Sequence, residues 1–116
     1  MAGRRVAEFK AQRERQNALV MKRANMQVKR FFSLDSQAYR DGALDGKTKE
    51  LLGLVASLVL RCDDCVTYHL CQCRDRGVTD AELIEALDIG LVVGGSITIP
   101  HLRRALEAWE ELSVAE

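Results

Sequence analysis

Cys62 and Cys65 stand three residues apart, and His69 follows four further on, just after the most apolar run in the chain. Two thiols and an imidazole at that spacing can form a disulfide, a metal site or a thiol–base pair. If the segment from Asp63 onward is helical, all three lie on one face, because positions three and four apart are helix neighbours. Asp63 or Asp64 is then a natural N-cap, accepting from the free N–H groups of the first turn. A sulfur at that end feels the positive pole of the helix dipole, which favours thiolate over thiol. The two carboxylates beside it oppose the dipole, so the net direction stays open.

The elements that position these groups read as helices throughout. The chain has 116 residues, is 47% hydrophobic but only 5% aromatic, and contains a single proline, Pro100. Leu, Val and Ala must therefore do most of the packing, which suits helix on helix, and few breakers interrupt them. One domain spans 1–116, with a long N-terminal helix within 1–30 and a motif-bearing core at 47–113. From Val6 to Arg30 there is neither Gly nor Pro, and the apolar positions (Val6, Phe9, Leu19, Val20, Met26) make only a thin stripe. Asp35 is a plausible cap for a short helix, and Asp41-Gly42 and Asp45-Gly46 punctuate a connection.

Thr48 through Leu60 is then a helix that needs covering on most sides, with hardly any polar face apart from Glu50. The helix carrying the cysteines runs to Arg76 and is closed by Gly77. Thr79 and Glu82 form the next start, a capping box. That helix runs to Gly94-Gly95, and Pro100 opens a last helix containing Leu102, Ala105, Leu106, Trp109 and Leu112.

If the Thr48–Leu60 helix turns back through Arg61–Asp64, the two helices form an antiparallel hairpin pivoting near residue 60. Residues equidistant from the pivot then meet, and Glu50 falls opposite His69 or its neighbours. A carboxylate, an imidazole and two thiols would line up inside an apolar wall. Thiol activation needs that set: a base for the proton, and a carboxylate to orient the imidazole and stabilise its cation.

A Glu followed after eleven residues by Cys-x-x-Cys-x-x-x-His resembles the carboxymuconolactone decarboxylase-like superfamily, in particular its alkylhydroperoxidase D-like branch. The matching residues are Glu50, Cys62, Cys65 and His69, and the Gly94-Gly95-Ser96-Ile97 region is similar too. The resemblance covers roughly residues 30 to 112. It implies an all-α, alkylhydroperoxidase D-like helical bundle around a central antiparallel hairpin. It further implies an enzyme that reduces hydroperoxides through a redox-active Cys62–Cys65 disulfide. Cys65 would be the attacking thiol, Cys62 its partner in the disulfide, and Glu50 with His69 the proton relay. The branch usually carries a histidine before the second cysteine, where this chain has Asp64. That departure leaves the redox core intact and the oxidant and reductant unassigned. The same resemblance implies a homotrimer or homohexamer.

The other features narrow the partners. Net charge is zero, yet nine of the basic residues fall between Arg4 and Arg30, opposed there only by Glu8 and Glu14. No aromatic platform or groove-reading motif accompanies them, so a solvated or subunit-facing helix is expected rather than a nucleic-acid surface. No long apolar run or h-region indicates membrane or secretion, and four cysteines without one suggest reduced thiols in a cytoplasm. No cofactor or metal is expected, although a zinc site on an assembly protein is one rival reading and a decarboxylase acting on a small cyclic acid is another. The expected partners are a hydroperoxide or disulfide substrate and a thiol reductant. Cys71, Cys73 and Tyr68 read as packing, and the sequence gives His101 no place.

Overall fold

The computed structural model describes residues 4–115, and all of the regular structure in that range is helical. Six α-helices follow in order: α1 (Arg4–Arg23), α2 (Met26–Ala38), α3 (Gly46–Val59), α4 (Asp63–Asp75), α5 (Asp80–Gly94) and α6 (Ile99–Ala115). A 3-10 turn, Ser96–Thr98, leads into α6.

The centre is the α3–α4 hairpin, against which α5 and α6 pack. Its turn is closed by Arg61, whose φ of 61° is left-handed, and by Cys62 N–H donating to the Ser57 carbonyl at 3.1 Å. Leu54 and Leu58 of α3, Leu70 of α4 and Leu83 of α5 are fully buried together with Cys73. Each such leucine contributes about 1.5–3 kcal/mol relative to an exposed one. Ala105 and Trp109 of α6 complete the core, and the Trp109 indole N–H donates to Asp80 Oδ1 at 2.7 Å.

The local signals for α4 and α5 act as expected. Gly77 takes φ 80°, a left-handed turn open to glycine without a Cβ penalty, and Val78 N–H donates back to the Cys73 carbonyl. Thr79 and Glu82 make both bonds of the capping box.

Three expectations are corrected. The N-terminal helix is not continuous to Arg30: it stops at Arg23, and Asn25 starts α2 by accepting from Val28 N–H at 3.0 Å. Asp35 consequently lies inside α2 and caps nothing. The Thr48–Leu60 helix is not covered on most sides within this chain. Its capping residue is Asp45, and Leu52 and Leu60 are 54% and 77% exposed. A groove of about 620 Å³ runs between α3 and α5, lined by Leu51, Leu52, Val55, Ile89 and Val93 among others.

Helix α1 packs against α6. Val6 is buried, its N–H donates to Glu111 Oε2 at 3.0 Å, and Arg5 pairs with Glu107. Helix α2 buries none of its residues.

Candidate active site

The hairpin brings Glu50 and His69 together although they are nineteen residues apart. Glu50, in the second turn of α3, is only 2% exposed, and its Oε1 accepts from His69 Nδ1 at 2.8 Å. The carboxylate thereby fixes the tautomer, leaving the neutral ring's lone pair at Nε2. His69 is itself buried and sits between two tyrosines. The Tyr68 ring meets it edge-on at 5.2 Å, and Tyr39, just after α2, lies 5.4 Å away and tilted by 38°. The Tyr39 hydroxyl is 3.5 Å from Nε2.

Gly53 explains how so much fits beside α3. A Cβ there would come within 2.6 Å of the Tyr39 hydroxyl and 2.7 Å of His69 Cε1. Glycine inside an otherwise apolar helix costs about 1 kcal/mol relative to alanine. Here it makes room for the imidazole and the phenol.

The two cysteines lie at the start of α4. Cys62, rather than Asp63 or Asp64, is the N-cap, its sulfur accepting from Cys65 N–H at 3.4 Å. Asp63 occupies the first helical position instead. Its carboxylate is held by His101 Nδ1 at 2.8 Å and Arg104 at 3.1 Å, which ties α4 to α6. His101 is thus placed on Asp63, outside the residues that line the cavity beside Cys65.

The sulfurs of Cys62 and Cys65 are 2.8 Å apart, so little movement separates the contact from a disulfide bond of about 2.05 Å, whose formation also requires an oxidant to take two electrons as two protons leave. Cys65 is exposed and Cys62 half-buried. The question that dipole and carboxylates left open is answered upward for Cys65. Its hydrogen bond with Cys62, burial, the charge of Cys62 and the carboxylates of Asp64 and Asp35 together push its thiol up to about 11. At neutral pH such a thiol keeps its proton unless a base takes it.

Cys65 and His69 line one cavity of about 280 Å³, together with Tyr68, Asp64, Asp35 of α2, and Phe9, Gln12, Arg13 and Gln16 of α1. The Arg13 guanidinium lies 4.2 Å above the Tyr68 ring. Tyr68 is therefore a cavity wall as well as packing. Cys71 and Cys73 are buried, and burial pushes the Cys73 thiol up to about 12. Among the described residues, no three His, Cys, Asp or Glu side chains are grouped to hold a metal ion.

Tyr39, Gly53, Asp35 and Arg13 were not singled out as site residues by spacing. The unexplained glycine three residues after Glu50 was the one signal that a side chain from another element had to fit there. Tyr39 and Arg13 carried none, because only the tertiary packing brings them in.

A helical hairpin with a carboxylate–imidazole pair beside a Cys-x-x-Cys motif defines a class, and comparison with known sequences agrees. The chain belongs to the carboxymuconolactone decarboxylase family, whose sequence profile matches residues 28–108. Two crystal structures of a Thermotoga maritima protein superpose closely. One has 58% identity and a TM-score of 0.91, covering 93% of this chain and 95% of that one. The other has 59% identity and a TM-score of 0.88, covering 92% and 91%. The latter is described as a carboxymuconolactone decarboxylase family protein with a suggested part in antioxidative response. An apo protein of the same family from Legionella pneumophila is 31% identical with a TM-score of 0.87, over 94% of this chain and 97% of that one. An uncharacterised protein from the cox locus of Paracoccus denitrificans is 28% identical over 85 residues, 73% of this chain and 77% of its own length. The Cys-x-x-Cys-x-x-x-His set is consistent with the alkylhydroperoxidase D-like branch.

Proposed function

We propose that the protein is a thiol-dependent peroxidase or disulfide oxidoreductase that reduces hydroperoxides through Cys62 and Cys65. The observation that carries this reading is that His69, held by Glu50, lines one small cavity together with the Cys65 thiol. The suggested antioxidative part of the Thermotoga maritima relative points the same way.

In the first step His69 Nε2 takes the Cys65 proton, and Glu50 stabilises the imidazolium. The thiolate attacks the distal peroxide oxygen. An S–O bond forms, the O–O bond breaks, and the departing alkoxide takes the proton from the imidazolium. Cys65 is left as a sulfenic acid and the hydroperoxide as an alcohol. Cys62 then attacks that sulfur, forming the disulfide and releasing water. A thiol reductant supplies two electrons and two protons to restore the dithiol.

Separate serine substitutions test the roles. Cys65→Ser abolishes hydroperoxide consumption, whereas Cys62→Ser stops after one turnover with sulfenic acid on Cys65, detected by dimedone labelling and peptide mass. Sulfenic acid on Cys62 in the Cys65→Ser protein would reverse attacker and partner.

A further inference from the structure

When His69 takes the Cys65 proton, its ring becomes an imidazolium with two N–H donors, and each needs an acceptor because the residue is only 8% exposed. Nδ1–H has Glu50 Oε1 at 2.8 Å. Nε2 faces the Tyr39 hydroxyl at 3.5 Å. A phenol hydroxyl can rotate, so it leaves the one lone pair of the neutral ring free for the Cys65 proton and turns its oxygen toward Nε2–H once that proton has arrived. Catalytic hydrogen bonds in resting structures are often long and tighten as charge develops. Gly53 lies at this junction, since a Cβ there would meet the phenol oxygen at 2.6 Å and Nε2 at 2.9 Å.

We propose that Tyr39 is the third member of the relay, a positioning residue that acts through His69 by accepting from Nε2–H and so stabilising the imidazolium formed when Cys65 is activated. This rests on the reading that His69 is the base for Cys65. Tyr39 keeps its own proton while it does so. Burial first, then the charges of Glu50, Asp35, Tyr68 and Cys65, hold its phenol above the ordinary tyrosine value.

The groups that face the pair set the pH background of any test. Around His69 they are Glu50 from α3, Tyr39 after α2 and Tyr68 on α4, with Arg13 of α1 stacked on Tyr68. Around Cys65 they are Cys62, Asp64 and Asp35. Tyr39→Phe removes none of these charges and keeps the ring. It leaves one N–H of the imidazolium without its acceptor, which disfavours the cation.

The experiment follows alkylation of Cys65 by iodoacetamide in the fully reduced protein, resolved by peptide mass, from pH 6 to 10.5. Tyr39→Phe should slow labelling near neutral pH on the order of tenfold, the cost of one unsatisfied buried donor. The two profiles should draw together toward the alkaline end, where hydroxide increasingly takes the thiol proton in place of the base. An unchanged profile overturns the proposal. So does slowing by the same factor at every pH, which would make Tyr39 a packing residue only. Should Tyr39→Phe fail to fold, 3-fluorotyrosine at position 39 keeps the shape with a weaker acceptor. It should shift the profile the same way, and no shift would overturn the idea. Because no peroxide enters this measurement, a protein that labels as expected yet consumes no hydroperoxide would sink the peroxidase reading and leave Tyr39 in place.

Discussion

At the scale of single residues, the site joins a reluctant thiol to a supported base. Cys65 is pushed up to about 11, chiefly by its bond with Cys62, so its thiolate fraction grows about tenfold per pH unit below that value. In the proposed mechanism His69, backed by Glu50, supplies the missing driving force near neutrality. Glu50→Gln keeps a hydrogen bond to Nδ1 but cannot stabilise the imidazolium. We expect an intact fold and a thiol reaction slowed on the order of 10²-fold at pH 7. The deficit should shrink as pH rises, since hydroxide then does the work of the base. Stopped-flow rates across pH would check this, and an identical pH–rate profile would remove Glu50 from the relay.

At the scale of elements, the parts that carried strong local signals were legible. The Thr79–Glu82 capping box, the Gly77 stop and the pivot near residue 60 depend on neighbours in sequence, and Glu50 meets His69 because the pivot holds. Less was legible where a choice depends on contacts between elements. Asn25 breaks the first helix without Gly or Pro to announce it. Cys62 takes the N-cap because Asp63 is engaged by His101 and Arg104 of α6, partners thirty-eight and forty-one residues away. Tyr39 reaches His69 through a connection whose course the sequence does not dictate. The capping box offers the cleanest test at this scale. Thr79→Ala should cost about 1 kcal/mol, within the usual range for a lost N-cap, and lower the thermal midpoint without altering the Cys65 chemistry. A midpoint unchanged in calorimetry would mean that α5 does not need its cap.

At the scale of the whole molecule, much apolar surface of the described residues faces outward. Helix α2 carries Phe31 and Leu34 at 68% and 64% exposure, and Ile89, Val92 and Val93 of α5 are exposed as well. The groove between α3 and α5 adds to this. The radius of gyration, 14.7 Å, also exceeds the roughly 13 Å of a compact domain this long. We propose that copies of this chain cover these faces in a homotrimer or homohexamer, with α3 receiving there the cover it lacks in one chain. Among the described residues no helix is long and apolar enough to cross a membrane. Light scattering on a sizing column should give a mass three or six times 13.0 kDa. A monodisperse 13.0 kDa species at micromolar concentration would refute self-association. Leu52→Glu, placed on the groove, should lower the assembled mass and leave the secondary structure intact.

The proposed mechanism rests on the redox role of the cysteine pair, and a thiol count reaches that role most directly. Fully reduced protein holds four titratable thiols under denaturing conditions. One equivalent of hydroperoxide should leave two, lower the mass by about the two hydrogens of one disulfide, and yield a Cys62–Cys65 bridge on peptide mapping. Four thiols remaining, or a dominant Cys71–Cys73 bridge, would contradict it.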